Sequence, residues 1–164
     1  MTNANPVGSD LPYRPCVGIL LLNQIGKVFV GKRNDVSGSG WQMPQGGIEV
    51  NENPRSAAIR ELYEETGVHS VEVVGESVKW FTYNYPQDIA RRSFAKKFRG
   101  QRQKWFAMRF LGLETEIDLG FSNAEFDAWK WVDIEYLPDL IVDFKRPVYN
   151  AVVAEFRYLA RPVE

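Results

Sequence analysis

Gly46-Gly47-Ile48-Glu49-Val50-Asn51-Glu52-Asn53-Pro54-Arg55-Ser56-Ala57-Ala58-Ile59-Arg60-Glu61-Leu62-Tyr63-Glu64-Glu65-Thr66-Gly67-Val68 is the stretch on which the reading of this 164-residue chain turns. Asn53 is a good N-cap, and Pro54 suits a first helical position, where no N–H is needed. Ala57, Ala58, Ile59, Leu62 and Tyr63 follow without a breaker, and Gly67 offers a left-handed stop. The spacing predicts a helix over Pro54–Thr66. With Glu61 set at the origin, Glu65 falls at about +40° and Glu64 at about −60°. Leu62, Ile59 and Tyr63 fall at roughly 100–200°. The expectation is an acidic face on one side and an apolar face packed on a sheet on the other.

Glu61 and Glu65 form an i,i+4 like-charge pair, unfavourable by about a few tenths of a kcal/mol in an isolated helix. Divalent cations with hard oxygen ligands relieve such repulsion, and Mg²⁺ typically uses a few carboxylates plus substrate phosphates. Arg60 lies beside the acids and away from the apolar stripe, with Glu52 or Glu61 as its expected partner. Trp41-Gln42-Met43-Pro44-Gln45-Gly46-Gly47 reads as a short strand entering a Gly-rich turn, where the backbone comes close to a ligand.

The stretch matches G-x5-E-x7-R-E-U-x-E-E-x-G-U (U, bulky apolar) at every fixed position, through Gly46, Glu52, Arg60, Glu61, Glu64, Glu65 and Gly67. At ordinary residue frequencies a chance match in a chain this long is on the order of 10⁻⁷, so coincidence is set aside. The pattern is the signature box of the Nudix hydrolases, which the chain resembles. The resemblance implies an α/β/α sandwich around a central mixed β-sheet. It also implies that Arg60 orients an acid of the box, and that the Gln45 main-chain carbonyl joins Glu61, Glu64 and Glu65 as a metal ligand.

Further motifs carry the resemblance from about residue 13 to 158. They are Tyr13-Arg14-Pro15, Trp41–Gly47, Gly100-Gln101-Arg102-Gln103-Lys104-Trp105-Phe106, Glu125-Phe126-Asp127-Ala128-Trp129-Lys130-Trp131 and Phe144-Lys145-Arg146-Pro147-Val148-Tyr149. Together they resemble the bacterial RNA 5′-pyrophosphohydrolases, also called dinucleoside polyphosphate hydrolases or invasion-associated locus A proteins. By that resemblance Glu125 is the metal-binding acid outside the box. Arg14, Arg33 and Lys145 match phosphate contacts, and Tyr83 and Phe144 match aromatic positions near a nucleobase. Lys104 joins them as a candidate substrate contact.

Composition agrees with one globular domain: 45% apolar, 25% charged, with ten Phe, seven Tyr and five Trp. Residues 1–12 read as a flexible tail, without the basic and apolar regions of a signal, and 13–160 as a single domain. No run of 18 apolar residues exists, so no membrane span and a cytoplasmic home are expected. One cysteine, Cys16, excludes an internal disulfide and reads as core. His69, the only histidine, reads as exposed and leaves no basis for His-centred chemistry.

The net charge of −1 hides an asymmetry. Arg91, Arg92, Lys96, Lys97, Arg99, Arg102 and Lys104 form an acid-free basic run, interleaved with Phe94, Phe98 and Trp105 and following Tyr83 and Tyr85. Base stacking and phosphate attraction need those two residue types together. Strands are expected over Arg14–Asn23, Lys27–Lys32, Val71–Tyr83 (one or two), Lys104–Leu113 and Ala128–Val132, with an irregular or partly helical insertion over Tyr85–Gln103. A turn of helix is expected at Glu135–Leu140 and a final helix over Pro147–Leu159. This order is α+β, a mixed sheet with helices on both faces.

Metal-assisted hydrolysis of a phosphoanhydride follows, with Mg²⁺ (or Mn²⁺) as cofactor and Glu61 or Glu64 as general base. Triphosphorylated RNA ends and dinucleoside polyphosphates are the two leading substrates. A house-cleaning nucleoside triphosphatase and a non-catalytic nucleotide or RNA sensor are the rivals. Neither a membrane nor DNA readout is expected, and oligomeric state is left open.

Overall fold

The structure, a computed structural model, describes residues 10–33, 40–90, 97–120 and 125–164. Most of the expected tail (1–9), residues 34–39 and Arg91, Arg92, Phe94 and Lys96 of the basic run lie outside the described residues.

Among the described residues eight strands form one mixed sheet. The apolar run near the start makes β1 (Tyr13–Leu22), and the turn at Gly26, with φ of 86°, returns it as β2 (Val28–Arg33). Next come β3 (Trp41–Gln42), β4 (Gln45–Gly47), α1 (Pro54–Thr66), β5 (Val71–Glu76), β6 (Phe81–Asn84) and α2 (Gln87–Ala90). β7 (Gly100–Phe110), β8 (Phe126–Val132), α3 (Leu137–Leu140) and α4 (Arg146–Phe156) complete the chain. The sheet order is β3-β2-β1-β7-β5, with β4 beside β1, β6 beside β7 and β8 beside β2. Only β1 and β7 pair in parallel, from Tyr13 opposite Gly100 to Leu22 opposite Arg109.

Two apolar layers flank the sheet. Val17, Ile19, Leu21, Phe106 and Met108 meet Ala57, Ala58 and Leu62 of α1. On the other face Leu20, Leu22 and Trp105 meet Val148, Tyr149, Val152 and Phe156 of α4. The sandwich expected from the resemblance is the one observed.

Three sequence readings need correction. Ile59 and Tyr63 do not pack on the sheet; they are 39% and 40% exposed, while Ala57, Ala58, Leu62, Glu65 and Thr66 are buried. The packed arc is therefore rotated toward the acids, and Glu65 lies within it. Gln45–Gly47 is a strand rather than a turn, because Val17 faces Gly46 in an antiparallel ladder. β7 begins at Gly100, inside the segment read as an insertion, since pairing to both β1 and β6 orders its polar half. Cys16 is buried and His69 exposed, as expected. Among the described residues no helix is long and apolar enough to cross a membrane.

Candidate active site

α1 starts and stops where its local chemistry dictates. The Asn53 side chain accepts the Arg55 N–H at 2.8 Å, and Gly67 takes φ of 74° while donating its N–H to the Tyr63 carbonyl. Between those ends the helix lies against β4. Gly46 makes this approach possible, because a Cβ there would overlap the Glu61 carboxylate.

Glu65 is 2% exposed, and no hydrogen bond of regular geometry reaches either carboxylate oxygen. Burial above all, then the nearby carboxylates of Glu125 and Glu61, push its carboxyl well above the usual range. The Gln45 backbone amide lies near enough to favour the anion but does not outweigh them. Burial also pushes Glu61 up, against the opposing pull of Arg60, with Glu64 and Glu125 adding to the rise. Four acids thus share one neighbourhood, three from α1 and Glu125 from the residue before β8.

Arg60 braces the outer side of this group. Its Nε and Nη2 donate to the two oxygens of Glu52, each at 2.8 Å, and Nη2 donates to the Gly47 carbonyl at 2.9 Å. Its Nη1 donates to Glu61 at 3.0 Å and to Glu64 at 3.1 Å. Glu52 also accepts the Glu49 N–H at 3.0 Å. The Arg60 guanidinium holds the Glu52 carboxyl down to about 2.

A hard divalent cation suits these donors. They are all oxygen, the carboxyls of Glu61 and Glu65 are raised by burial and by neighbouring acids, and neither Glu65 oxygen has a hydrogen bond of regular geometry, a lack that a positive charge would offset. Among the described residues, no three acidic, histidine or cysteine groups are already drawn to one coordination point.

Gln45 separates the acids from a pocket on the α4 side of the sheet. The ladder bonds flanking it, Ile19 N–H to Pro44 C=O and Ile48 N–H to Pro15 C=O, leave its own main-chain groups pointing away from β1. Its side chain turns to the pocket, about 400 Å³ in volume, with Arg33, Tyr83, Tyr85, Phe144 and Lys145 among the lining residues. The Tyr83 and Phe144 ring centroids are 5.5 Å apart. Lys145 is only 7% exposed, and its Nζ lies 5.7 Å from the Tyr83 ring and 5.8 Å from the Phe144 ring.

Arg14 lies nearby, its guanidinium filling the space that a Gly47 side chain would need. Lys104 is elsewhere. It is not among the pocket's lining residues, and its Nζ is 3.9 Å from Glu76 and 6.0 Å from the Trp80 ring.

Sequence reasoning passed over a buried chain of amides. Trp105 Nε1 donates to Gln103 Oε1 at 3.0 Å, and Gln103 Nε2 donates to Gln101 at 2.9 Å and to Gln45 at 3.2 Å. Gln101 Nε2 then donates to the Tyr85 hydroxyl at 3.2 Å. The signal was the alternation of Gln101, Gln103 and Trp105, which puts all three on one face of β7.

Known proteins share this sequence and fold. An RNA pyrophosphohydrolase of Rhodopseudomonas palustris (strain BisB18) is 53% identical over 161 residues, covering 93% of this chain and 92% of the relative. One from Rhodospirillum rubrum is 49% identical over 163 residues, covering 99% and 98%. The E. coli dihydroneopterin triphosphate pyrophosphohydrolase structure superposes with a TM-score of 0.66 at 18% identity, covering 88% of this chain and 99% of that one. The NUDIX domain model matches residues 12–152. With the acid-bearing helix seated on the glycine strand, and with these matches over nearly its whole length, the chain belongs to the Nudix hydrolase family.

Proposed function

We propose that this protein removes pyrophosphate from triphosphorylated 5′ ends of RNA and leaves a 5′-monophosphate. Nudix hydrolases generally use divalent cations, and we assign Mg²⁺ here, with Mn²⁺ as a substitute. The carrying observation is the position of Gln45, with its backbone beside Glu65 and its side chain in the aromatic pocket. A nucleotide whose base enters the pocket would lead its phosphates toward the acids. The two bacterial relatives, at about half identity, bear the same activity in their names.

Glu61, Glu64, Glu65 and Glu125, with the Gln45 carbonyl, would hold the cation. When bound, it would neutralise part of the charge on the phosphate chain and make a water acidic enough to give up its proton and become the nucleophile. Glu61 or Glu64 takes the proton from the attacking water as the phosphoanhydride bond breaks. Arg60 and Glu52 hold those two acids in place. Arg33, Arg14 and Lys145 offset the charge on the rest of the phosphate chain. Tyr83 and Phe144 shape the site of the base. A lone, buried, unpaired cysteine agrees with a cytoplasmic location.

The test is one side-by-side assay with Mg²⁺. Triphosphorylated RNA, diadenosine tetraphosphate and free ATP are compared, and products are identified by mass. Pyrophosphate from RNA at the highest kcat/KM supports the proposal. Preferred cleavage of the dinucleotide would transfer it to the dinucleoside polyphosphate reading. Unchanged turnover in Glu64→Gln would remove this carboxylate from the mechanism.

A further inference from the structure

The face of the sheet that carries Glu61 does not end at α1. Side chains alternate along a strand, so Arg102 and Lys104 share the β7 face of Phe106 and Met108, on the α1 side. Register extends that face outward: Pro15 on β1 is opposite Arg102 on β7, which is opposite Thr82 on β6. Tyr13, Gly100 and Asn84 form the next row, and the Tyr13 hydroxyl donates to Asn84 at 2.7 Å. Arg102, Thr82 and Asn84 are exposed.

Cations lie over aromatic rings here. The Arg102 guanidinium is 4.2 Å from the Trp80 ring centroid, and the Arg99 guanidinium is 4.8 Å from that of Tyr13. A guanidinium held on an aromatic ring keeps its second face available for a base and its N–H groups for phosphate. Gly46, against which Glu61 lies, is on the strand three places from β6. At about 4.8 Å per strand the separation is about 14 Å, a short walk for an extended polynucleotide.

We propose that this open face, centred on Arg102 and Trp80 with Thr82, Asn84, Tyr13 and Arg99, is a stacking track for the single-stranded RNA that follows the 5′ nucleotide. The inference deepens the RNA reading above and rests on it. The track accounts for Arg99 and Arg102 of the basic run, which are not among the residues lining the pocket. Lys104, paired loosely with Glu76, lies along the same strip. Built from rings and cations, the track would read stacking and charge rather than sequence.

The experiment compares the wild type with Arg102→Ala and with Thr82→Glu, an exposed change that sets a negative charge directly opposite Arg102. Two substrates are used with Mg²⁺: a triphosphorylated dinucleotide and a triphosphorylated unstructured RNA of about twelve nucleotides. The expected result is about a tenfold fall in kcat/KM on the long RNA in both variants, with the dinucleotide unaffected. A second arm measures fluorescence anisotropy of the same RNA with a 5′-hydroxyl, over a salt series without divalent cation. Arg102→Ala should weaken binding and make the salt slope shallower by about one unit. Equal loss on both substrates, or undiminished anisotropy binding in both variants, overturns the track. Wild-type binding that depends on Arg102 without hydrolysis of either triphosphate overturns the function proposal instead.

Discussion

Arg60 and Glu52 meet fork to fork, Nε on Oε2 and Nη2 on Oε1, each at 2.8 Å. A lysine cannot reproduce that geometry or reach Glu61, Glu64 and the Gly47 carbonyl at once. The pair is largely buried, with side-chain exposures of 24% and 15%. Arg60→Lys should cost about 1–2 kcal/mol in urea denaturation. It should also lower kcat by about 10–100-fold through loss of positioning. A kcat equal to wild type would show that the brace is not needed for chemistry.

The buried acids give stability a pH signature. Glu61 and Glu65 have carboxyls raised in the folded protein, so their favourable contribution is full below the ordinary carboxylate range and is lost as pH rises through the raised values. Glu52 acts in the opposite sense. Its carboxyl is lowered to about 2, so its contribution is full above about 4.5 and is lost as pH falls toward about 2. The melting temperature without divalent cation should therefore peak in mild acid and decline toward alkaline pH. Added Mg²⁺ should raise it more at pH 8 than at pH 5. An equal Mg²⁺ shift at both values would contradict cation binding through these carboxylates.

Glu65→Gln separates stability from activity. At a pH above the raised titration range of Glu65 the substitution removes a buried charge without a regular hydrogen-bonding partner. Without divalent cation the variant should melt above the wild type and show a flatter alkaline decline. Turnover of triphosphorylated RNA should fall at least about 100-fold. A lower melting temperature would mean that the carboxylate is stabilised where it lies.

Two glycines offer a paired control. A Cβ at Gly46 meets the movable end of Glu61, whereas one at Gly18 meets the buried Trp105 indole. Gly46→Ala should leave thermal stability within about 1 kcal/mol but damage kcat by displacing Glu61. Gly18→Ala should destabilise by about 1–3 kcal/mol through overpacking. Reversal of that order would mean that Glu61 has no room to yield.

Lys145 tests the pocket. Its buried ammonium lies beside the Tyr83 and Phe144 rings, and the proposed function gives it phosphate attraction. Lys145→Met, which keeps much of the volume, should raise KM about tenfold while changing kcat less. Isothermal calorimetry with a nonhydrolysable nucleoside triphosphate analogue should show the same loss.

The limits of α1 were legible because capping is local: Asn53, Pro54 and Gly67 announce both ends. Its orientation was not, since apolar periodicity assumes that a helix buries only apolar residues, and here Glu65 takes a buried position while Ile59 and Tyr63 face outward. The acids were legible as a group because their spacing places them on one arc. Their link to the pocket through Gln45 was hidden, as it depends on a strand of three residues pairing with β1. Of the Gln103–Gln101–Tyr85 chain, the step between the two glutamines follows from alternation along β7, but the step to Tyr85 was hidden because it depends on β6 pairing with β7.

The parallel seam between β1 and β7 has a consequence for biosynthesis. Tyr13 and Gly100 are about ninety residues apart, so the middle of the sheet cannot zip until about two-thirds of the chain has been made. Until then the nascent chain exposes one flank of an apolar strand, a template for mispairing with neighbours. Translation that stalls before Gly100 should thus yield aggregation-prone fragments rather than a smaller working enzyme.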